Sequence, residues 1–67
     1  MRLGDILRGR SNIFIKEYEI FGNMTIFAGA CYYGDNKLIS IDSKSYTFDM
    51  EISHYNWTNG NVLQIMR

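Results

Sequence analysis

The sequence predicts an α+β fold, with a short N-terminal helix packed on a twisted antiparallel sheet of four to five strands, in a single small domain over residues 1–67. Three observations predict it. From Tyr46 to Met66 apolar and polar residues alternate with the period of a half-buried strand, interrupted by Thr58-Asn59-Gly60-Asn61. A Gly22-Asn23 pair separates two β-rich runs, which is a hairpin signal. Near the start, Leu3, Ile6 and Leu7 fall at helical spacing.

Taken in order, residues 1–10 read as one or two helical turns, with Asp5 early where the helix dipole favours an acid. A helix this short is marginal alone, so its apolar triplet must pack on the sheet. Ile13 to Phe21 and Met24 to Ala28 form the first hairpin, and a two-residue loop sets Phe21 opposite Met24, Glu19 opposite Ile26 and Tyr18 opposite Phe27. That register mixes Glu17 and Glu19 with Ile13, Ile15, Phe21 and Ile26 on one face, a conflict that a bulge or a longer loop would repair. Ala28 to Asn36 reads as a strand that ends or bends where another backbone comes close. Lys37 to Asp42 resumes as a short strand, and Ser43-Lys44-Ser45 turns the chain into the pair that dominates the sheet. There a two-residue Asn59-Gly60 loop sets Trp57 opposite Val62, Tyr55 opposite Gln64 and His54 opposite Ile65. Leu63 and Ile65 then share the inner face with Ile52 and His54.

Length limits what this core can do. A chain of 67 residues buries only about 60% of the surface its unfolded form exposes, and Cys31 is the single cysteine, so no intrachain disulfide adds to it. Self-association or a protein partner is the expected source of further stability. The chain has no proline, one of the usual devices for blunting sheet edges, which favours edge pairing in a homo-oligomer.

Seven basic and seven acidic residues cancel. Neither an acidic DNA mimic nor a non-specific nucleic-acid binder fits that balance. No apolar run approaches the ~20 residues of a membrane span and the N-terminus lacks a signal-like stretch, so no membrane association and a cytoplasmic location are expected.

No motif demands catalysis. His54 is the only imidazole, and by alternation it shares a face with Met50 and Ile52 while Asp49 and Glu51 point the other way. Cys31 has no basic setting to lower its pKa and reads as a small buried hydrophobe. The pairs Glu17 and Glu19, and Asp49 and Glu51, read as charges on solvent-facing strand sides. One Cys and one His do not make a zinc site, and the glycines lack phosphate-cradling spacing. The chain is therefore expected to be no enzyme, with no catalytic residue, metal or cofactor. Two features point to binding instead: Tyr32, Tyr33, Tyr55 and Trp57 in or beside loops, residue types that dominate binding hot spots, and a basic cluster of Arg2, Arg8 and Arg10.

In its opening Met1-x-Leu3-x-Asp5-Ile6-Leu7, in Ala28-Gly29-Ala30, in Ile39-Ser40-Ile41-Asp42 and in Asn61-Val62-Leu63-Gln64-Ile65, the chain resembles small proteins of phages and mobile elements of Firmicutes. The resemblance spans most of the chain and implies a single cytosolic α+β domain without an assigned active site, so no residue role carries over from it. Such elements also carry small anti-defence proteins that bind a host effector or trap its nucleotide signal. The expectation is a non-enzymatic module that binds and occludes a host protein, or itself as a homo-oligomer, with Tyr32, Tyr33, Tyr55 and Trp57 as anchors. The alternative is a sponge for a nucleotide-like ligand, with those aromatics stacking on a base and Arg8 or Arg10 meeting phosphate.

Overall fold

The computed structural model describes residues 1–42 and 44–66. Helix α1 (Leu3–Leu7) is followed by strands β1 (Ile13–Phe21), β2 (Met24–Gly34), β3 (Lys37–Ser40), β4 (His54–Thr58) and β5 (Val62–Met66). They form one small α+β unit with a five-stranded sheet in the order β3-β2-β1-β5-β4. Three pairings are antiparallel, but β1 and β5 run parallel, so the sheet is mostly rather than wholly antiparallel.

The first hairpin has the expected register, Phe21 to Met24, Glu19 to Ile26 and Tyr18 to Phe27. Gly22 has φ 59, the sign required at the first central position of a type II′ turn. The pairing shifts between Glu17 and Tyr18, leaving Ala28 as the extra residue of a bulge, and β2 continues through it to Gly34. Tyr32 and Tyr33 therefore lie within a strand, and the turn follows them at Asp35 and Asn36, both at positive φ.

One face of the sheet is covered. Ile13 and Ile15 of β1, Cys31 of β2 and Leu63 and Ile65 of β5 meet Leu3, Ile6 and Leu7 of α1 and Ile52 of the segment before β4. Leu38, Tyr33, Tyr46, Met50 and Trp57 close its margins.

The segment 46–53, expected to be a strand of the central pair, is instead part of that cover. Its only ladder contact is an isolated bridge between Arg2 and Glu51. The alternation still had a physical cause, because Tyr46, Met50 and Ile52 face the core while Thr47, Asp49, Glu51 and Ser53 are exposed. Its backbone is satisfied by the N-terminal segment: Leu3 N–H donates to Met50 O (3.0 Å), Gly4 N–H to Phe48 O (2.9 Å) and Ile52 N–H to Met1 O (2.6 Å). Ser43, part of the expected preceding turn, lies outside the described residues.

The second hairpin corrects the expected register by one residue. Its loop has three residues, Asn59 to Asn61, so Thr58 meets Val62, Trp57 meets Leu63, Tyr55 meets Ile65 and His54 meets Met66. A slip of one exchanges the faces of a strand. Trp57 and Tyr55 thus join the Leu63 and Ile65 face, and His54 is exposed on the opposite one. Asn59 (φ 53) and Gly60 (φ 75) hold the left-handed conformations that let three residues close this turn. Space around Gly60 is open, so Gly60→Ala should cost only the conformational term, about 1 kcal/mol. A lower urea midpoint with unchanged slope is the expected result.

Candidate protein-binding surface

The sheet's second face carries the alternate residues of the same strands and no element covers it among the described residues. Cross-strand pairing sets Phe14 beside Tyr32 and Val62, Tyr18 beside Phe27 and Met66, and Tyr32 beside Ile39. Tyr18 and Phe27 meet edge to face at 5.8 Å and 75°, and Lys16 Nζ lies 5.8 Å from the Phe14 ring centroid. Exposed sheet faces are ordinarily polar. Over β1, β2 and β5 this one carries aromatic and aliphatic side chains, broken in the middle by Lys16 and Gln64, and its β4 margin is polar with His54, Asn56 and Thr58.

The β1–β2 hairpin also outruns its neighbours. Among the described residues, β5 pairs with β1 from Phe14 to Tyr18, and β3 pairs with β2 from Cys31 to Gly34. The remainder, from Glu19 to Ala28, forms a two-stranded arm. Its five large apolar side chains, Ile20, Phe21, Met24, Ile26 and Phe27, are between 41% and 62% exposed. They point to both sides of the arm, since Phe21, Met24 and Ile26 belong to the inner face beyond the cover. At its base, Glu17, Glu19, Ile20, Phe21 and Lys44 line an open depression of about 370 Å³.

Beneath that depression lies the one buried acid of the core. Glu17 was expected on a solvent-facing strand side, but it is 1% exposed, because it sits on the covered face of the middle strand. Its Oε1 accepts a hydrogen bond from the Tyr46 hydroxyl (3.0 Å) and pairs with Lys44 Nζ (3.0 Å). Gly29 opposite makes room for both partners: a Cβ there would stand 2.3 Å from the Tyr46 hydroxyl. Asp42 approaches the same place and fixes the Lys44 backbone N–H with its carboxylate (3.1 Å). Burial first, then repulsion from Asp42 and Glu17, pushes the Cys31 thiol up to about 12. Burial, followed by the hydrogen bond to Glu17, also raises the Tyr46 hydroxyl above its ordinary 10.0. Cys31 is thus an inert core thiol. Among the described residues no three His, Cys, Asp or Glu side chains gather where a metal ion could be held.

The six residues singled out from sequence are dispersed. Tyr32 lies on the uncovered face with its hydroxyl donating to Asn12 Oδ1 (2.8 Å). Tyr33 lies on the covered face, edge-on to Phe48 at 5.8 Å. Tyr55 and Trp57 lie across the sheet on β4, three strands from β2. The Arg10 guanidinium stacks 3.9 Å above the Trp57 ring, and Arg8 forms an exposed pair with Asp5 (3.3 Å). Only Trp57 and Arg10 are brought together, each covering the other. The residues missed from sequence are those of the arm. The signal for them was present: apolar side chains on both faces of one hairpin, in a chain too short to cover both faces of a sheet.

Comparison with protein-family models, with curated proteins and with solved structures gives no significant match to this chain. Two consequences of the Glu17 site can be measured. Gly29→Ala should destabilise the fold by about 1–3 kcal/mol through overpacking against Tyr46, read as a fall in urea midpoint. In alkaline solution the folded state retains Cys31 and Tyr46 protons that the unfolded chain releases from pH 9.0 and 10.0 upward. Stability should be full below about pH 9 and fall as pH rises beyond it, and Tyr46→Phe should flatten the part of that fall above about pH 10.

Proposed function

We propose that this protein is a non-enzymatic protein-binding module of the kind carried by phages and mobile elements, acting in the cytoplasm by occluding a host protein. One observation carries the reading: the uncovered sheet face presents Phe14, Tyr18, Phe27 and Tyr32 together, with Ile39, Val62 and Met66 around them. Clusters of exposed apolar side chains mark interaction sites on small proteins, and rigid aromatic side chains supply most of the energy in such interfaces. Strands hold these rings in place, and Asn12 fixes the direction of Tyr32. Little ordering entropy is then lost on binding. Of the residues expected to serve as anchors, Tyr32 belongs to this platform.

The nucleotide-sponge reading draws less support from this geometry. Its stacking surface and its phosphate-binding cation would be Trp57 and Arg10, and these are engaged with each other.

Affinity capture of the tagged protein from its host, quantified by mass spectrometry, tests the proposal. A single partner should be recovered with the unaltered chain, and Phe14→Ala combined with Tyr18→Ala should reduce its recovery at least tenfold. Equal recovery with the double variant would overturn the assignment of this face. A nucleotide panel should leave thermal stability unchanged, whereas a bound ligand at a hundred times its dissociation constant would add about 2.7 kcal/mol.

A further inference from the structure

Cross-strand register arranges the uncovered face in rows that run across the strands. Lys16 of β1 stands between Ala30 of β2 and Gln64 of β5, and Gln64 in turn pairs with Asn56 of β4. This polar row is flanked on one side by Phe14 and Tyr32 and on the other by Tyr18 and Phe27. Rows lie two residues apart along each strand, about 6–7 Å, so one partner surface meets all three together. The charge on this face has one sign. Lys16 lies in its middle and Lys37, opposite Gly34, at its β3 margin, whereas the acids of the strands, Glu17 and Glu19, belong to the covered side and line the depression there with Lys44. The remaining acids, Asp5, Asp35, Asp42, Asp49 and Glu51, lie in α1, in the β2–β3 turn and in the segment between β3 and β4. Among the described residues the ion pairs join Met1 to Glu51, Arg8 to Asp5 and Lys44 to Glu17, and none involves Lys16. Lys16 is half-buried, and its ammonium is held near the Phe14 ring without a counter-charge.

We propose that the partner sets a carboxylate, from an aspartate or glutamate ringed by apolar side chains, against Lys16. The inference rests on the reading of this face as a protein-binding surface and names the chemistry that fits it. A protein laid over the face strips water from an ammonium that has no ion partner of its own. A charge buried unpaired weighs strongly against binding, whereas one met by an opposite charge with good geometry does not. Gln64, the cross-strand neighbour of Lys16, carries an amide that can donate to the second carboxylate oxygen. The aromatic rows on either side supply area and keep water from the pair. The pair supplies selection, because a partner with a cation or a plain apolar group at that place leaves the ammonium stranded. Phosphate is the other common anion of macromolecules, but a nucleic acid strand brings its phosphates in a continuous series. This face answers with one cation in its middle and one at its margin, which suits a single carboxylate.

Selection of synthetic binders tests this before the natural partner is known. The probe is a displayed library of a three-helix scaffold with one randomised face, selected on the unaltered chain. Only clones that lose binding to Phe14→Ala combined with Tyr18→Ala are kept, since these use the uncovered face. Such clones should be enriched in aspartate or glutamate within an apolar surround and should bind Lys16→Glu at least about tenfold more weakly. Selection on Lys16→Glu should replace those acids with lysine or arginine. Lys16→Arg should retain binding, and Lys37→Glu, outside the polar row, should leave it nearly unchanged. Should Lys16→Glu disturb the far-ultraviolet circular dichroism spectrum, Lys16→Met removes the charge alone and should give the same loss. The partner captured from the host should follow the same order of variants. Face-dependent clones without an excess of acids, or with equal affinity for the unaltered and Lys16→Met chains, would overturn the proposal and leave the face a binding surface. Absence of any face-dependent clone would overturn both readings together. A fluorescent single-stranded oligonucleotide that binds the unaltered chain and not the double variant would assign phosphate in place of carboxylate, and would equally overturn the proposal.

Discussion

Burial of the Glu17 carboxylate on the covered face of the middle strand is the interaction on which the rest of this structure depends. An ionised carboxylate in a core costs several kcal/mol unless charge and hydrogen bonds compensate it, and here Lys44 and Tyr46 both reach the same oxygen. Those two residues lie between β3 and β4, so satisfying Glu17 pulls the connecting chain across the sheet. The Ala28 bulge and the bare Cα of Gly29 make the approach possible. Once Tyr46 is seated, Met50 and Ile52 follow it over the core, and the N-terminal segment supplies the backbone partners that this segment would otherwise have found in a ladder.

The use of that segment as cover decides what remains uncovered. Helix α1 and the 46–53 segment together span the face bearing Ile13, Ile15, Cys31, Leu63 and Ile65, and none of the described residues lies over the other side. A sheet has two faces, and the nine buried residues of the core cluster gather on one of them. The opposite face therefore keeps most of its apolar groups half-buried, and the distal arm leaves its own exposed. The proposed association with another protein would complete a burial that folding leaves unfinished. The same economy explains why the polar groups of the core are structural: Tyr46 and Lys44 meet the Glu17 carboxylate beneath the surface, and the raised pKa values of the Cys31 thiol and the Tyr46 hydroxyl record their burial.

Much of this was legible in the residues themselves. Leu3, Ile6 and Leu7 specified a helix and its buried stripe, and Gly22-Asn23 specified the first hairpin with its exact register. The burial of Cys31 followed from its small apolar neighbours. The awkward register that set Glu17 among isoleucines pointed to a real conflict, which the fold meets with a bulge at Ala28 of β2 while Glu17 stays buried among them. The reading failed where one pattern served two structures. Alternation from Tyr46 to Ile52 is the same whether the segment pairs with a strand or lies across one, and a turn of two residues or of three is compatible with Asn59-Gly60-Asn61.

Residues close along the chain were enough to specify the α+β class, the helix and the first hairpin, because each rests on local interactions. Only the tertiary structure decided the parallel pairing of β1 with β5, the conversion of 46–53 into cover, the burial of Glu17 and the dispersal of the four aromatics across both faces. These depend on contacts between residues far apart along the chain, as Lys44 and Tyr46 are from Glu17. Local propensity does not encode such contacts; they are chosen by competition for the single face that this short chain can keep dry.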